Sequence, residues 1–306
     1  MRAVEYSRYG GIEVLEIVEK PRPSCGPGEV RVEVHAVSVN PVDGKIRSGL
    51  LAPLPNGFPA VTGRDGAGLV VEAGEGVPSG MLGQRVCFLA PRGTGTWTEE
   101  IALPAELMAS IPDSLSFADA ASLGLAGTSA WIGLVDTAEI SSGQRVLIHA
   151  AAGGVGSVAV QLARSLGATV IGTCSASNVD YVRSLGAAEA IAYDEVAFED
   201  EVRDVDVVFD LIGGDVNRRS YRVLKRGGVM ACLNAIPFED RHAEFGVEVR
   251  KALVLPDRTA LSGILAKADQ GEIRSTIEVL PFEAFAEAQR LSDSGHVRGK
   301  IVLAVR

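Results

Sequence analysis

A chain of 306 residues with 29 basic and 39 acidic side chains carries a net charge of −10, so it is long enough for two domains with real cores and its sign disfavours nucleic acid or anionic lipid as partner. Cys25, Cys87, Cys174 and Cys232 are far apart and show neither metal-ligand spacing nor a disulfide framework, as expected of a reduced chain. The start MRAVEYSRYGG has no apolar signal region and eighteen uncharged apolar residues never run together, so a soluble, cytoplasmic protein is expected.

Residues 1 to about 118 read as short strands punctuated by Gly and Pro, with alternating patterns at Glu13–Val18, Val30–Val39, Gly68–Glu72, Gln84–Phe88 and Trp97–Ala102. Such a texture predicts a barrel-like domain. Asn40-Pro41 ends one strand, and Asp43–Arg47 predicts a single helical turn after it. From Ser116 the sequence becomes rich in Ala and Leu at helical spacing, which places a domain boundary there.

The stretch Val146–Cys174, VLIHAAAGGVGSVAVQLARSLGATVIGTC, predicts a strand, a glycine turn, a helix and a second strand. Val155, Val158, Ala159, Leu162 and Ala163 repeat at three-to-four spacing, and Gly167 ends the helix. A glycine turn opening a helix brings backbone N–H groups close to an anion at the positive end of the helix dipole, and a dinucleotide pyrophosphate is the expected guest. Ala151 stands where the usual fingerprint has its first glycine, with Gly153 and Gly156 following, so the context carries more of the signal than the pattern. The alternation continues with a helix near Ser177–Ser184, strands at Ala190–Ala192 and Val205–Phe209, a helix through Val216–Leu224 and a strand at Val229–Leu233. This predicts a doubly wound α/β sheet in residues 119–256. A helix from Pro256, an amphipathic helix in PFEAFAEAQRLSDSG and a strand at 299–303 complete the first domain, giving it residues 1–118 and 257–306.

Asn40-Pro41-Val42-Asp43 with Ile46-Arg47-Ser48-Gly49, then GRDGAGLVVEAGEGV at 63–77, LAGTSAW at 125–131, AAAGGVG at 150–156, RSLGA at 183–187 and GKIVL at 299–303 occur in one order. Together they resemble the zinc-independent quinone oxidoreductase branch of the medium-chain dehydrogenase/reductase superfamily. The resemblance implies a split GroES-like β-barrel catalytic domain and a Rossmann domain, a homodimer as the assembly, and NADPH-dependent hydride transfer to a quinone or an α,β-unsaturated carbonyl. An enoyl-thioester or polyketide-associated reductase is the neighbouring alternative, and a non-catalytic crystallin-like or RNA-binding role the remote one.

Zinc chemistry needs three or four ligands from Cys, His and carboxylates, and the sequence lacks both sets. Where zinc-dependent relatives carry Gly-His-Glu, this chain has Gly63-Arg64-Asp65, and Asn40 replaces a ligand cysteine. Without a metal, a fixed donor must stabilise the negative charge that hydride builds on a carbonyl oxygen. The resemblance puts Asn40 beside the nicotinamide as that donor, Lys45 where some relatives carry an active-site tyrosine, and Thr128 near the nicotinamide. Gly153, Gly154, Val155 and Gly156 form the expected pyrophosphate turn. Gly172–Asn178 contains no acid, so Ser175, Ser177 and Asn178 favour NADPH over NADH, and the resemblance adds Tyr193 and Lys300 at that end of the cofactor. Ile212, after the strand ending in Asp210, is expected to meet the cofactor through its backbone, while Asn234 and Phe238 line the nicotinamide and substrate side.

Overall fold

The computed structural model describes residues 1–233 and 240–306. The strands are β1 (Arg2–Tyr6), β2 (Glu16–Glu19), β3 (Glu29–Val39), β4 (Ala60–Val61), β5 (Asp65–Ala73), β6 (Arg85–Leu89), β7 (Glu100–Pro104), β8 (Met108–Ser110), β9 (Arg145–Ile148), β10 (Thr169–Cys174), β11 (Glu189–Ala192), β12 (Val205–Asp210), β13 (Leu224–Cys232), β14 (Glu248–Lys251), β15 (Ile277–Pro281) and β16 (Lys300–Ala304). The helices are α1 (Pro41–Arg47), α2 (Phe117–Trp131), α3 (Gly154–Ser165), α4 (Val179–Ser184), α5 (Phe198–Glu201), α6 (Gly214–Ser220), α7 (His242–Phe245), α8 (Arg258–Asp269) and α9 (Phe285–Asp293). Two compact units result, one of Met1–Leu125, Leu255–Asp269 and Ser275–Arg306, the other of Ala126–Val254 and Gln270–Arg274. The change of unit therefore falls inside α2, about ten residues after the change of sequence texture at Ser116, because the helix runs on through it.

In the first unit a sheet runs β15-β16-β3-β5-β6-β8 with β7 also on β3, and a smaller one runs β2-β1-β4. Strand β3 shows why the fold delivers a polar site. Val30, Val32 and Val34 are buried while Glu29, Arg31 and Glu33 are only partly so, as a strand with one core face requires. From Ala36 to Val39 every residue is buried, so the end of β3 is covered on both faces and carries Asn40 into the interior. Trp97 is fully buried in this core and its indole N–H donates to Ser38 O at 3.2 Å. The pattern expected over Glu13–Val18 is interrupted by a 3₁₀ turn at Ile12–Val14, and the strand begins only at Glu16.

The second unit holds a parallel sheet in the order β11-β10-β9-β12-β13-β14. Counted from β9 this is the 3-2-1-4-5-6 order of a Rossmann sheet, with its switch point between β9 and β12. Val146, Leu147 and Ile148 are wholly buried, as a strand covered by helices on both faces must be. The helix expected through Leu224 stops at Ser220. Tyr221 and Val223 are buried, Val223 O accepts the N–H of Val205, and Leu224 opens β13, so the neighbouring strand claims the residues that periodicity assigned to the helix.

Candidate active site

Strand register brings three distant residues together in the first unit. Antiparallel pairing sets Val37 opposite Gly66 and Ile301 opposite Val39, so Ser38 lies beside Asp65 and Asn40 beside Lys300. Asn40 caps α1 in an extended conformation, Pro41 takes the first helical position, and the Asn40 backbone N–H donates to Asp43 Oδ2 at 2.9 Å. The Asn40 amide Nδ2 donates to Asp65 Oδ1 at 2.9 Å and to Ser38 Oγ at 3.2 Å. Its Oδ1 accepts from Lys300 Nζ at 2.6 Å, and the same ammonium donates to Val39 O at 2.8 Å. A carboxylate on one side and an ammonium on the other leave the amide only one orientation.

Asp65 is saturated. Ser38 Oγ stands 2.8 Å from both of its oxygens, and the Leu125 N–H donates to Oδ2 at 2.7 Å. Gly124 is required beside it, since a Cβ there would lie 2.7 Å from Asp65 Cβ and 2.9 Å from Oδ2. Asn40 is 3 % exposed and Lys300 5 %. Burial pulls the Lys300 ammonium below its usual range, and the charges of Asp65 and Asp43 hold it up against that.

Two expectations change here. The resemblance makes Asn40 a donor to substrate, yet both N–H groups of its amide are already taken by Asp65 and Ser38. It also puts Lys300 among contacts to the cofactor phosphate, yet the ammonium is buried and spent on Val39 and Asn40. Lys45 differs from both: it is half-buried on α1, and among the described residues its ammonium has no hydrogen-bond or ion-pair partner.

Asp43 is 2 % exposed, and its Oδ1 has no hydrogen-bond partner among the described residues. Burial, reinforced by the charge of Asp65, pushes its carboxyl up to about 7. With the folded-state value above that of the unfolded chain, the folded protein holds this proton more tightly. The stability it contributes is whole below about pH 4 and is lost as the pH rises through about 7. Asp43→Asn keeps an acceptor for the Asn40 N–H and removes the titration, so its melting temperature should gain on that of the unmodified protein between about pH 5 and pH 8. Thermal melts across that window check this, and a difference that stays constant with pH contradicts it.

The set around Asn40 does not fit a catalytic zinc. Arg64 and Lys300 are cations, Asn40 offers one amide oxygen already bound by an ammonium, and both oxygens of Asp65 already accept hydrogen bonds. Among the described residues no three His, Cys, Asp or Glu side chains are grouped so as to hold a metal ion.

In the second unit the carboxyl ends of the strands carry the other group of residues. Gly153 caps α3, and the first bond into the helix is donated by Ser157 N to Gly153 O. Among the described residues the N–H groups of Gly154, Val155 and Gly156 have no acceptor, as the first turn of a helix requires. Gly156 is obligatory, because a Cβ there would stand 2.1 Å from Ala150 O. A close-packed turn with unspent donors at the start of a twelve-residue helix fits a dinucleotide pyrophosphate. Across the switch point, Asp210 Oδ1 accepts the N–H groups of Ile212 and Gly213, both at 2.9 Å, and its Oδ2 accepts from Asn217 at 2.8 Å. That fixes the loop and leaves Ile212 45 % exposed on the same edge.

His149 beneath this edge is a packing residue. Its Nε2 lies 2.9 Å from Ser220 Oγ, whose hydroxyl donates to Val216 O, so Nε2 carries the proton and Nδ1 accepts from Thr173 Oγ1 at 3.0 Å. Burial drives its pKa down to about 4, and the ring is neutral.

Thr128 is buried within α2. Ser175 and Ser177 hydroxyls lie 3.1 Å apart, Asn178 Nδ2 donates to Ser175 Oγ at 2.9 Å, and Tyr193 stands 55 % exposed at the end of β11. The expectation that no acid serves this loop needs correction, since Asp194 Oδ1 accepts the Ala176 N–H at 2.8 Å. Asp194 follows the neighbouring strand, outside the window in which the usual spacing rule looks. Asn234 and Phe238 lie outside the described residues.

A doubly wound sheet with an anion-ready glycine turn, joined in one chain to a β-rich unit with a buried polar cluster, defines a pyridine-nucleotide-dependent oxidoreductase fold. Residues 26–113 match the alcohol dehydrogenase GroES-like domain family and residues 185–303 the family described as zinc-binding dehydrogenase. The chain is 32% identical to the synaptic vesicle membrane protein VAT-1 homolog of Rattus norvegicus over 99% of its length and 84% of that protein's. It is 33% identical to the chloroplastic NADPH-dependent alkenal/one oxidoreductase of Arabidopsis thaliana (99% and 79% covered) and 32% identical to the quinone oxidoreductase of Salmonella typhimurium (87% and 83%). Among solved structures, the Coxiella burnetii quinone oxidoreductase superposes with TM-score 0.92 at 33% identity, covering 100% of this chain and 99% of that one. The Escherichia coli quinone oxidoreductase complexed with NADPH does so at 0.89 and 27% (99% and 100%), and CurK enoyl reductase at 0.88 and 28% (99% and 98%). The chain therefore belongs to the zinc-independent, quinone oxidoreductase-type branch of the medium-chain dehydrogenase/reductase superfamily. As such it is an oxidoreductase with a small-molecule substrate. Among the described residues no helix is long and apolar enough to cross a membrane.

Proposed function

We propose that the protein is an NADPH-dependent reductase of quinones or α,β-unsaturated carbonyls that works without zinc. The bound nucleotide supplies the hydride. The Gly154, Val155 and Gly156 N–H groups hold its pyrophosphate, the backbone at Ile212 and the buried Thr128 flank it, and Ser175, Ser177, Asn178 and Tyr193 meet its adenosine end. Reduction of the acceptor builds negative charge on a carbonyl oxygen. The uncommitted Lys45 ammonium is the donor that meets this charge. Asn40 acts as a positioning residue: its amide ties the start of α1, which carries Lys45, to Asp65 and Lys300.

The observation that carries this reading is the Lys300 ammonium inside the Asn40 cluster. A fixed side-chain cation compensates Asp65 and Asp43, so charge balance there needs no metal. The relatives named for NADPH-dependent alkenal/one and quinone reduction support the acceptor class, and likeness to CurK enoyl reductase keeps an enoyl-thioester acceptor as second reading. A homodimer is part of the proposal.

Fluorescence titration should show tighter binding of NADPH than of NADH, followed by NADPH oxidation with quinones, enones and enals. Equal affinities, or a preference for NADH, contradict the cofactor assignment. Turnover confined to enoyl thioesters decides for the second reading.

A further inference from the structure

We propose that Asp194 is a specificity-determining residue that opposes the 2′-phosphate of NADPH and so limits the preference of this site for NADPH over NADH. The proposal rests on the dinucleotide reading above and names the side chain that tunes it. Parallel pairing sets Cys174 opposite Ala192, so the residues that follow β10 and β11 emerge side by side. The Tyr193 N–H donates to Cys174 O at 3.0 Å, which locks the two segments together, and the next residue places its carboxylate on Ala176. Asp194 is exposed, as is Ser177 across the same loop.

Two effects follow, and they act in the same direction. The Ala176 N–H, a backbone donor in the midst of Ser175, Ser177 and Asn178, is occupied by the carboxylate and is not offered to a phosphate. The carboxylate also places a full negative charge beside that donor, where a phosphate dianion is repelled while a ribose hydroxyl can still donate to it. The charge reaches into the loop: burial raises the Cys174 thiol, Asp194 adds to that shift, and the Arg183 guanidinium works against it with a smaller effect. The cation nearest in sequence, Arg183, faces Asp180 at 4.0 Å on the exposed surface of α4, so its charge is shared. Glu195 adds a further exposed acid on the Asp194 side.

Asp194→Asn separates charge from shape, because the amide oxygen still accepts the Ala176 N–H. NADPH, NADH, 2′,5′-ADP and 5′-AMP should be titrated into the intact protein and this variant by fluorescence and calorimetry, at about 0.02 M and about 0.3 M salt. The variant should bind NADPH and 2′,5′-ADP about 5- to 30-fold more tightly at low salt, with the gain shrinking at high salt, while NADH and 5′-AMP change by less than about 2-fold. Asp194→Ser, which also removes the charge, should move the same ligands in the same direction, and thermal melts should show both variants folded. Unchanged NADPH binding, an equal change for NADPH and NADH, or weakening of NADH alone overturns the proposal. If the unmodified protein binds neither nucleotide, the dinucleotide reading fails instead, which separates the two failures.

Discussion

Lys45→Met should lower kcat about 100- to 1000-fold on the best acceptor, the range expected when one donor to a developing oxyanion is removed. NADPH affinity and the melting temperature should hardly move, because the Lys45 ammonium makes no ion pair or hydrogen bond among the described residues that folding would lose. The contrast is with Asn40→Ala. That change strips a partner from Lys300, Asp65 and Ser38 at once, so it should depress the melting temperature as well as kcat. An interaction made mainly in the transition state appears in kcat, whereas one made equally to bound substrate appears chiefly in KM. Steady-state kinetics paired with melts read the difference. A stable Lys45→Met protein with unchanged kcat removes Lys45 from the chemistry.

Lys300→Met should be the most destabilising single change considered. The ammonium is buried with two bonded acceptors, and its loss leaves Asp65 and Asp43 in the interior with no cation bonded into their cluster at that point. Leaving buried carboxylates without the cation that faces them costs up to about 3–5 kcal/mol, roughly 5–8 °C in melting temperature for a protein of this size. Pairing it with Asp65→Asn should recover part of the loss, since the charge left unbalanced is then removed. Calorimetric melts of both singles and the double measure the coupling. A Lys300→Met protein as stable as the unmodified chain, or a double variant showing no recovery, contradicts the network as described.

What was legible in the sequence follows from what is local. The Val146–Cys174 unit announces itself because strand, glycine turn, helix and strand are consecutive, and the packing at Gly156 acts between near neighbours. Asn40 at the end of a strand and before Pro41 is equally local. The partners of Asn40 are not: Asp65 is 25 residues away and Lys300 is 260, joined only by the register of β5 and β16 against β3. Asp194 stayed hidden for the same reason, since a rule that counts along one strand cannot see the end of its neighbour. Strand β15 pairs only with β16 among the described residues, and its residues are exposed or only partly buried, so no alternation marked it beforehand.

NADPH oxidation measured on metal-analysed protein, before and after exhaustive treatment with a chelator, tests the central claim most directly. With an ammonium fixed in the polar cluster and no donor set there that suits zinc, the protein should contain no stoichiometric zinc and should reduce its best quinone or enone at the same rate after chelation. One tightly bound zinc per chain, or activity lost to the chelator and restored by added zinc, would contradict it.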